Sequence, residues 1–453
     1  MKTKSFCFII LSLYFIFTTV QAQSVDDAFK QAKKENKIVM ISIESPTCNE
    51  CNEVASKGIS SNLVKSSINN NCIYVKVKKL PDEFYGSGTL YILSADFFGI
   101  LFFDADKNIL DFMSGSSTSY IPYLDHIEKA LKEKQTPEAT LSQLKKNYYN
   151  NIGSFDAIKK VIEKIRKLNL EPQQQVLDEL TQKAPEDSAA SLSFLQFIMK
   201  AAPIYGSIAE QYIQKNKDNY NMAWFRMSQP ERVAINNRIY GKSILKAITD
   251  KDMNYAFRVA GAKQSTFISS PNVEAGQQAS QETMLQYYKG INDTTNYLRN
   301  VANFYERFYM STKVETIQKE DSIRKEKTFK TIPANSSSAQ KDSLGFRTIM
   351  FSPRTAYFAS QLNNGAWTVY TYTKDKNYLS KALAWAKRGL EFSETTAIMD
   401  TYARLLYKTG NKEEAISWEQ KAIDTNKAKA ISSADYEKVL SLMKSGAVKI
   451  DDY

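Results

Sequence analysis

Apolar positions follow two regimes along the chain. Between Ser24 and Lys134, short apolar runs of strand length alternate with amphipathic stretches. Ser24 is placed to cap a helix reaching about Asn36, with Ala28, Phe29 and Ala32 on one face. Ile38-Val39-Met40-Ile41-Ser42-Ile43 follows, a nearly unbroken apolar run that predicts a strand buried on both faces. Cys72–Val77, Ile100–Phe103 and Ile109–Met113 predict three more strands, the last two joined through Asp104-Ala105-Asp106-Lys107-Asn108. Ser119–Lys134 reads as a closing helix, with Pro122 acceptable in its first turn. The order helix, strand, helix, strand, hairpin, helix describes one α/β domain over residues 23–135.

From about Thr136 the period becomes 3.6 and stays there. Leu141, Leu144, Ile158, Ile162, Ile165, Leu177 and Leu180 recur at helical spacing. A helical domain is expected over 136–312, interrupted at Pro203, Pro230 and Pro271. Residues 313–345 are rich in Lys, Glu and Asp and then run Pro333-Ala334-Asn335-Ser336-Ser337-Ser338, which predicts a solvated, flexible connection. Within 346–453 a pattern recurs. Ala382 and Gly389 stand seven apart, as do Ala415 and Ala422, and the two pairs are offset by 33 residues. Small residues at such positions let paired helices approach and stack. Tyr402–Asn411 leading into Glu413-Glu414-Ala415 resembles the tetratricopeptide repeat, which implies helical hairpins offering a surface for partner binding.

Composition narrows the chemistry. The chain has 453 residues but a single histidine, His126, so no His-rich metal site can be built. Four cysteines are too few for a disulfide-stapled scaffold, and 16 Gly with 11 Pro lean towards helix. The net charge of +11 is spread along the chain among acidic residues, unlike the clustered stripe of a nucleic-acid binder. Residues 1–22 carry Lys2 and Lys4, an apolar run from Phe6 to Phe17, and small residues in Val20-Gln21-Ala22, the pattern of a secretory signal peptide. The expected mature protein is therefore exported, to a periplasm or beyond. Losing two lysines, it carries +9 and keeps Cys48, Cys51 and Cys72.

Cys48-Asn49-Glu50-Cys51 is the one chemically loaded motif. A CxxC where a strand gives way to a helix sets the first sulfur at the helix amino terminus. Free backbone N–H groups and the positive dipole end favour the thiolate there, and the thiolate is the nucleophile of disulfide exchange. With the buried strand before it and Phe102-Phe103-Asp104 after it, Ser24–Lys134 resembles the thioredoxin superfamily, specifically exported bacterial thioredoxin-like domains joined to a helical region. The resemblance implies Cys48 as nucleophile and Cys51 as resolving thiol, both catalytic, with no cofactor. It also implies partners among extracytoplasmic proteins bearing thiols or disulfides, and a membrane redox partner to supply electrons. Thr47 stands where the family usually has Trp, Ser42 where it has a buried carboxylate, and Phe97-Phe98-Gly99 where its cis-proline falls. Two other readings stay open: an inert disulfide in a redox-inactive binding or scaffold protein, and a zinc site drawing on Cys72 and His126.

Overall fold

The computed structural model describes residues 24–46, 48–85, 90–93, 97–135, 140–150, 154–267, 273–330, 353–429, 431–448 and 450. The expected signal segment 1–22 lies outside them, as do Thr47 and residues 331–345 of the expected connection. Two compact units emerge. The first comprises residues up to Ala201 and Ser207–Ala223, and the second Ala202–Gly206 and Trp224 onward.

The first unit is built on a mixed four-stranded sheet. Helix α1 (Val25–Glu35) starts at Ser24, whose hydroxyl accepts from the Asp27 N–H at 3.1 Å, and stops at Asn36 in the left-handed conformation, φ 52°. Strand β1 (Ile38–Ile43) is buried at all six positions. Helices α2 (Asn49–Ile59) and α3 (Asn62–Asn71) lead to β2 (Cys72–Val77), which lies parallel to β1 with Ile38 opposite Cys72 and Ser42 opposite Lys76. After a two-residue strand β3 (Tyr91–Ile92), β4 (Gly99–Phe103) and β5 (Ile109–Ser114) form the hairpin, and β4 runs antiparallel to β1. The sheet order is β2-β1-β4-β5. Asp104 closes the hairpin turn, its carboxylate accepting from the N–H groups of Asp106 and Asn108, each at 2.9 Å.

The period of two along β4 separates the two cores. Phe102 joins Ile38, Met40, Val64, Tyr123 and Ile127 beneath α3 and the closing helix α4 (Ile121–Lys134). Phe103 points the other way and meets Phe29 of α1 and Phe84 at ring separations of 5.8 and 5.1 Å.

Helices continue the unit as α5 (Leu141–Asn150), α6 (Phe155–Lys167) and α7 (Gln174–Gln182). Two ties bind them to the sheet region. The buried Lys164 of α6 pairs with Glu133 of α4. A strand β6 (Glu171–Pro172) pairs antiparallel with β3, and the backbone N–H of Gln173 donates to Leu90 O at 3.1 Å. This two-stranded element has no hydropathy signature, and the sequence gives no hint of it.

The second unit is helical and has an aromatic core. Trp385 is fully buried, packs at a tilt against Tyr305 with ring centres 4.8 Å apart and donates from its indole N–H to Glu306 at 3.0 Å. Part of the expected flexible connection belongs here. Val314–Lys330 is a helix, because Val314, Ile317 and Asp321 recur at helical spacing and are buried while the charged residues between them face solvent. Asp321 then accepts from the N–H groups of Arg354 and Thr355 at 2.7 and 2.9 Å, capping Arg354–Tyr372, whose own flanking residue Pro353 supplies no side-chain cap.

Helices Lys376–Phe392, Thr396–Thr409, Lys412–Ala428 and Ala434–Lys444 follow, each packed against the next. Ala382, Ala415 and Ala422 are fully buried, and Gly389 lies where an added Cβ would sit 3.4 Å from Ala359 O. Gly410, at φ 103°, ends Thr396–Thr409, and the Asn411 N–H returns to Leu406 O at 2.8 Å.

Between two of these helices lies a buried polar group of three. Arg404 donates to Asp400 at 2.7 Å and to Ile450 O at 2.7 Å, beside the fully buried Glu419. Burial, and then the Asp400 charge beside it, push the Glu419 carboxyl up to about 9. Burial raises the Asp400 carboxyl as well, but Asp400 has the Arg404 hydrogen bond, so Glu419 is the member of the pair that holds its proton at neutral pH. A carboxyl raised above its unfolded value stabilises fully below the ordinary carboxylate range and loses that contribution as pH rises towards 9. The stability of this unit should thus fall by up to about 1.4 kcal/mol per pH unit over that window. Glu419→Gln should flatten the dependence, as read from urea midpoints followed by tryptophan fluorescence at pH 5 to 9.

Candidate functional site

The CxxC cysteines lie where β1 hands over to α2. Past Ile43 the ladder runs one step further, the Glu44 N–H donating to Val77 O at 2.9 Å, and then the chain turns. Asn52, on the first turn of α2, holds that turn. Its side-chain oxygen accepts from the Ser45 N–H at 2.8 Å and its amide donates to Ser45 O at 3.0 Å. Cys48 is the residue flanking α2, in non-helical backbone (φ −136°, ψ 86°), and its sulfur accepts from the Cys51 N–H at 3.1 Å. The sulfur thus occupies the position normally taken by a capping hydroxyl or carboxylate. Cys48 and Cys51 are joined in a disulfide, with Cα atoms 5.3 Å apart, and both are partly exposed.

Opposite the pair is the start of β4. Phe98 O accepts from the Gly115 N–H at 3.0 Å, and Phe97 meets Phe112 edge-on at 5.9 Å. Gly99 has φ 135° and lies so close to β5 that a Cβ there would come within 2.1 Å of Met113 O, so only glycine fits. The chain enters β4 through Phe97-Phe98-Gly99 with no proline, and no cis peptide occurs among the described residues.

Behind Cys51 is a cavity of about 20 Å³. Its walls include Ser42, Glu44, Asn52, Tyr74, Lys76 and Phe98. Glu44 and Lys76 form an ion pair at 2.6 Å across β1 and β2. Burial pushes the Tyr74 hydroxyl above its ordinary range, opposed by its hydrogen bond with Ser42.

The other candidates lie elsewhere. Cys72 opens β2 within the core, where burial pushes its thiol up to about 12. His126 sits on α4, its Nδ1 2.7 Å from the Asp111 carboxylate and its ring stacked on Phe102. Cys72 and His126 are thus occupied by packing and by Asp111, and among the described residues no group of three or more His, Cys, Asp or Glu could hold a metal ion. No described helix is long and apolar enough to cross a membrane.

Three residues at this site escaped the sequence reading. Asn52 carries a signal in hindsight, a turn-forming residue four positions after Cys48 on a predicted helix. The Glu44–Lys76 pair carries none, because it depends on the register between two strands, which brings residues 32 positions apart together.

Two outcomes follow. Asn52→Ala removes both bonds to Ser45 and should lower stability by about 1–3 kcal/mol, seen as a shift in the urea midpoint. In reduced folded protein, iodoacetamide should modify Cys48 and Cys51 while leaving Cys72 unmodified until denaturant is added, as counted by mass spectrometry.

Compared with known proteins, the chain matches no family model and no curated sequence.

Proposed function

We propose that this is an exported thiol–disulfide oxidoreductase, with a thioredoxin-like amino-terminal module and a tetratricopeptide-like carboxy-terminal array that recruits its protein partners. The observation carrying the reading is the placement of Cys48 at the start of α2, its sulfur accepting from the Cys51 N–H and bonded to Cys51. Once the pair is reduced, that N–H and the free amides of the first turn favour the Cys48 thiolate. The thiolate attacks one sulfur of a substrate disulfide. A Cys48–substrate mixed disulfide forms, and the other substrate sulfur leaves as a thiolate. Cys51, one helical turn on, then attacks Cys48 Sγ, restoring the Cys48–Cys51 disulfide and releasing the second substrate thiol. Run in the opposite direction, the same steps oxidise a dithiol substrate. Suitable substrates are extracytoplasmic proteins bearing thiols or disulfides, and continued reduction draws electrons from a membrane redox partner.

The β2-β1-β4-β5 order, with the CxxC at the carboxyl end of the central strand, supports the same reading. One observation favours a second: Phe97-Phe98-Gly99 gives the start of β4 a wall without the proline of the resemblance, which suits a binding or scaffold protein with an inert disulfide. Trapping separates the two. Cys51→Ser should accumulate mixed disulfides on Cys48 with extracytoplasmic proteins, visible on non-reducing gels, and Cys48 should titrate below the roughly 8.5 of a free thiol. A blank gel together with an ordinary Cys48 titration leaves the scaffold reading.

A further inference from the structure

A second cavity lies at the far end of the sheet from the disulfide. Where β1 pairs with β4, Ile43 meets Gly99 beside the cysteine pair, and Val39 meets Phe103 at the other end, where the hairpin turn 104–108 begins. There the turn, the segment at Glu83 and Phe84, strand β3 and helix α5 border a cavity of about 330 Å³. That is the lower end of the roughly 300–1,000 Å³ of small-molecule sites. All of these elements belong to the first unit.

Phe84, Tyr91, Ile109 and Leu141 are buried and give the cavity an apolar wall. Burial pushes the Tyr91 hydroxyl up to about 12, so it brings no charge at neutral pH. The charged wall residues are Glu83, Asp106, Lys107 and Lys145, and three of them are committed. Lys107 donates to Glu83 at 2.7 Å and to Asp26 at 2.8 Å. Lys33 donates to Asp106 at 3.2 Å. The remaining polar wall residue, Asn108, gives its side-chain amide to Asp104 at 3.1 Å.

Lys145 is the exception. It stands four residues after Leu141 on α5, and so on the helix face that Leu141 buries. Lys145 is half-buried there, whereas the next residue, Lys146, is exposed. Among the described residues Lys145 makes no hydrogen bond or ion pair. Burial pushes its ammonium below the ordinary lysine range, with no carboxylate acting against it. A surface lysine carries its head out to water along its own stem. Lys145 loses hydration without gaining a partner.

From this arrangement we infer that the cavity binds a small monocarboxylate, its apolar body against Phe84, Ile109 and Leu141 and its carboxylate on the Lys145 ammonium. The charge balance sets the class. Glu83 and Asp106 already stand on the wall, so a dianion such as a phosphate monoester meets repulsion, while a single negative charge at Lys145 is matched. The site is separate from the disulfide and does not rest on the exchange reading.

Isothermal titration calorimetry on the full chain at pH 7 tests this with three probes of one shape: 4-phenylbutyrate, 4-phenyl-1-butanol and 4-phenylbutylamine. The acid, ionised at that pH, should bind about tenfold or more tighter than the alcohol, and the amine should bind weakest. This comparison needs no variant. Lys145→Met keeps the bulk of the side chain and removes its charge. It should bring the acid down to the level of the alcohol and leave the alcohol nearly unchanged. Lys145→Arg should hold the acid within a few-fold, and Lys146→Met should change neither. Removing an unpaired, half-buried cation should leave the urea midpoint of Lys145→Met equal or higher, which separates lost binding from lost folding. Acid and alcohol binding alike overturns the inference, and so does an acid that binds Lys145→Met as well as the parent chain. No detectable binding of the acid to the parent chain at millimolar concentration overturns it too.

Discussion

Ile38–Ile43 is buried on both faces and hydrogen-bonded along both edges, parallel to β2 on one side and antiparallel to β4 on the other. Its five apolar side chains represent a gross burial free energy on the order of 10 kcal/mol before chain entropy is set against it. A strand held this way cannot slip by one residue without turning Ile38 and Met40 out of one core and Val39 and Ile41 out of the other. That constraint determines where the chain leaves the sheet, and the cysteine pair stands at that exit. The Asn52 bonds to Ser45, the non-helical backbone of Cys48 and the cavity behind Cys51 all inherit their positions from it.

The same constraint explains why the helices of the first unit cannot be treated as an appendage. The segment preceding β4 is gripped at β3 by Glu171–Pro172 and by Gln173, all from the connection between α6 and α7. The Lys164–Glu133 pair makes a second tie, to the closing helix. A buried ion pair contributes little net stability, since desolvation offsets the attraction, but losing one partner strands the other charge. Strand β3 is thus held by residues about 80 positions further along the chain.

In the second unit, charge is handled by burial with partners rather than by exposure. Asp321 spends its carboxylate on two backbone N–H groups that Pro353 leaves without a side-chain cap. Asp400 has Arg404, and Arg404 in turn fastens the backbone at Ile450. Glu419, with one guanidinium already committed to Asp400, remains neutral by holding its proton. Each case follows from the cost of placing an unpaired charge in a low-dielectric interior.

Periodicity by itself determined the α/β start, the helical remainder and the close-approach role of Ala382, Gly389, Ala415 and Ala422, because period two, period 3.6 and small-residue spacing are local properties of a chain. It also singled out Cys48 and Cys51, since a CxxC at the end of an apolar run needs no partner elsewhere to be noticed. Residues 314–330 defeated the same reading. Their charge density resembles a solvated linker, and only packing shows that Val314, Ile317 and Asp321 form a buried edge. Tertiary structure alone decided what surrounds the disulfide. Glu44 meets Lys76 through strand register, β3 meets β6 through a fold-back, and His126 is occupied by Asp111 through a helix laid on a sheet. Contacts of that kind are made between residues distant in sequence, and no local pattern encodes them.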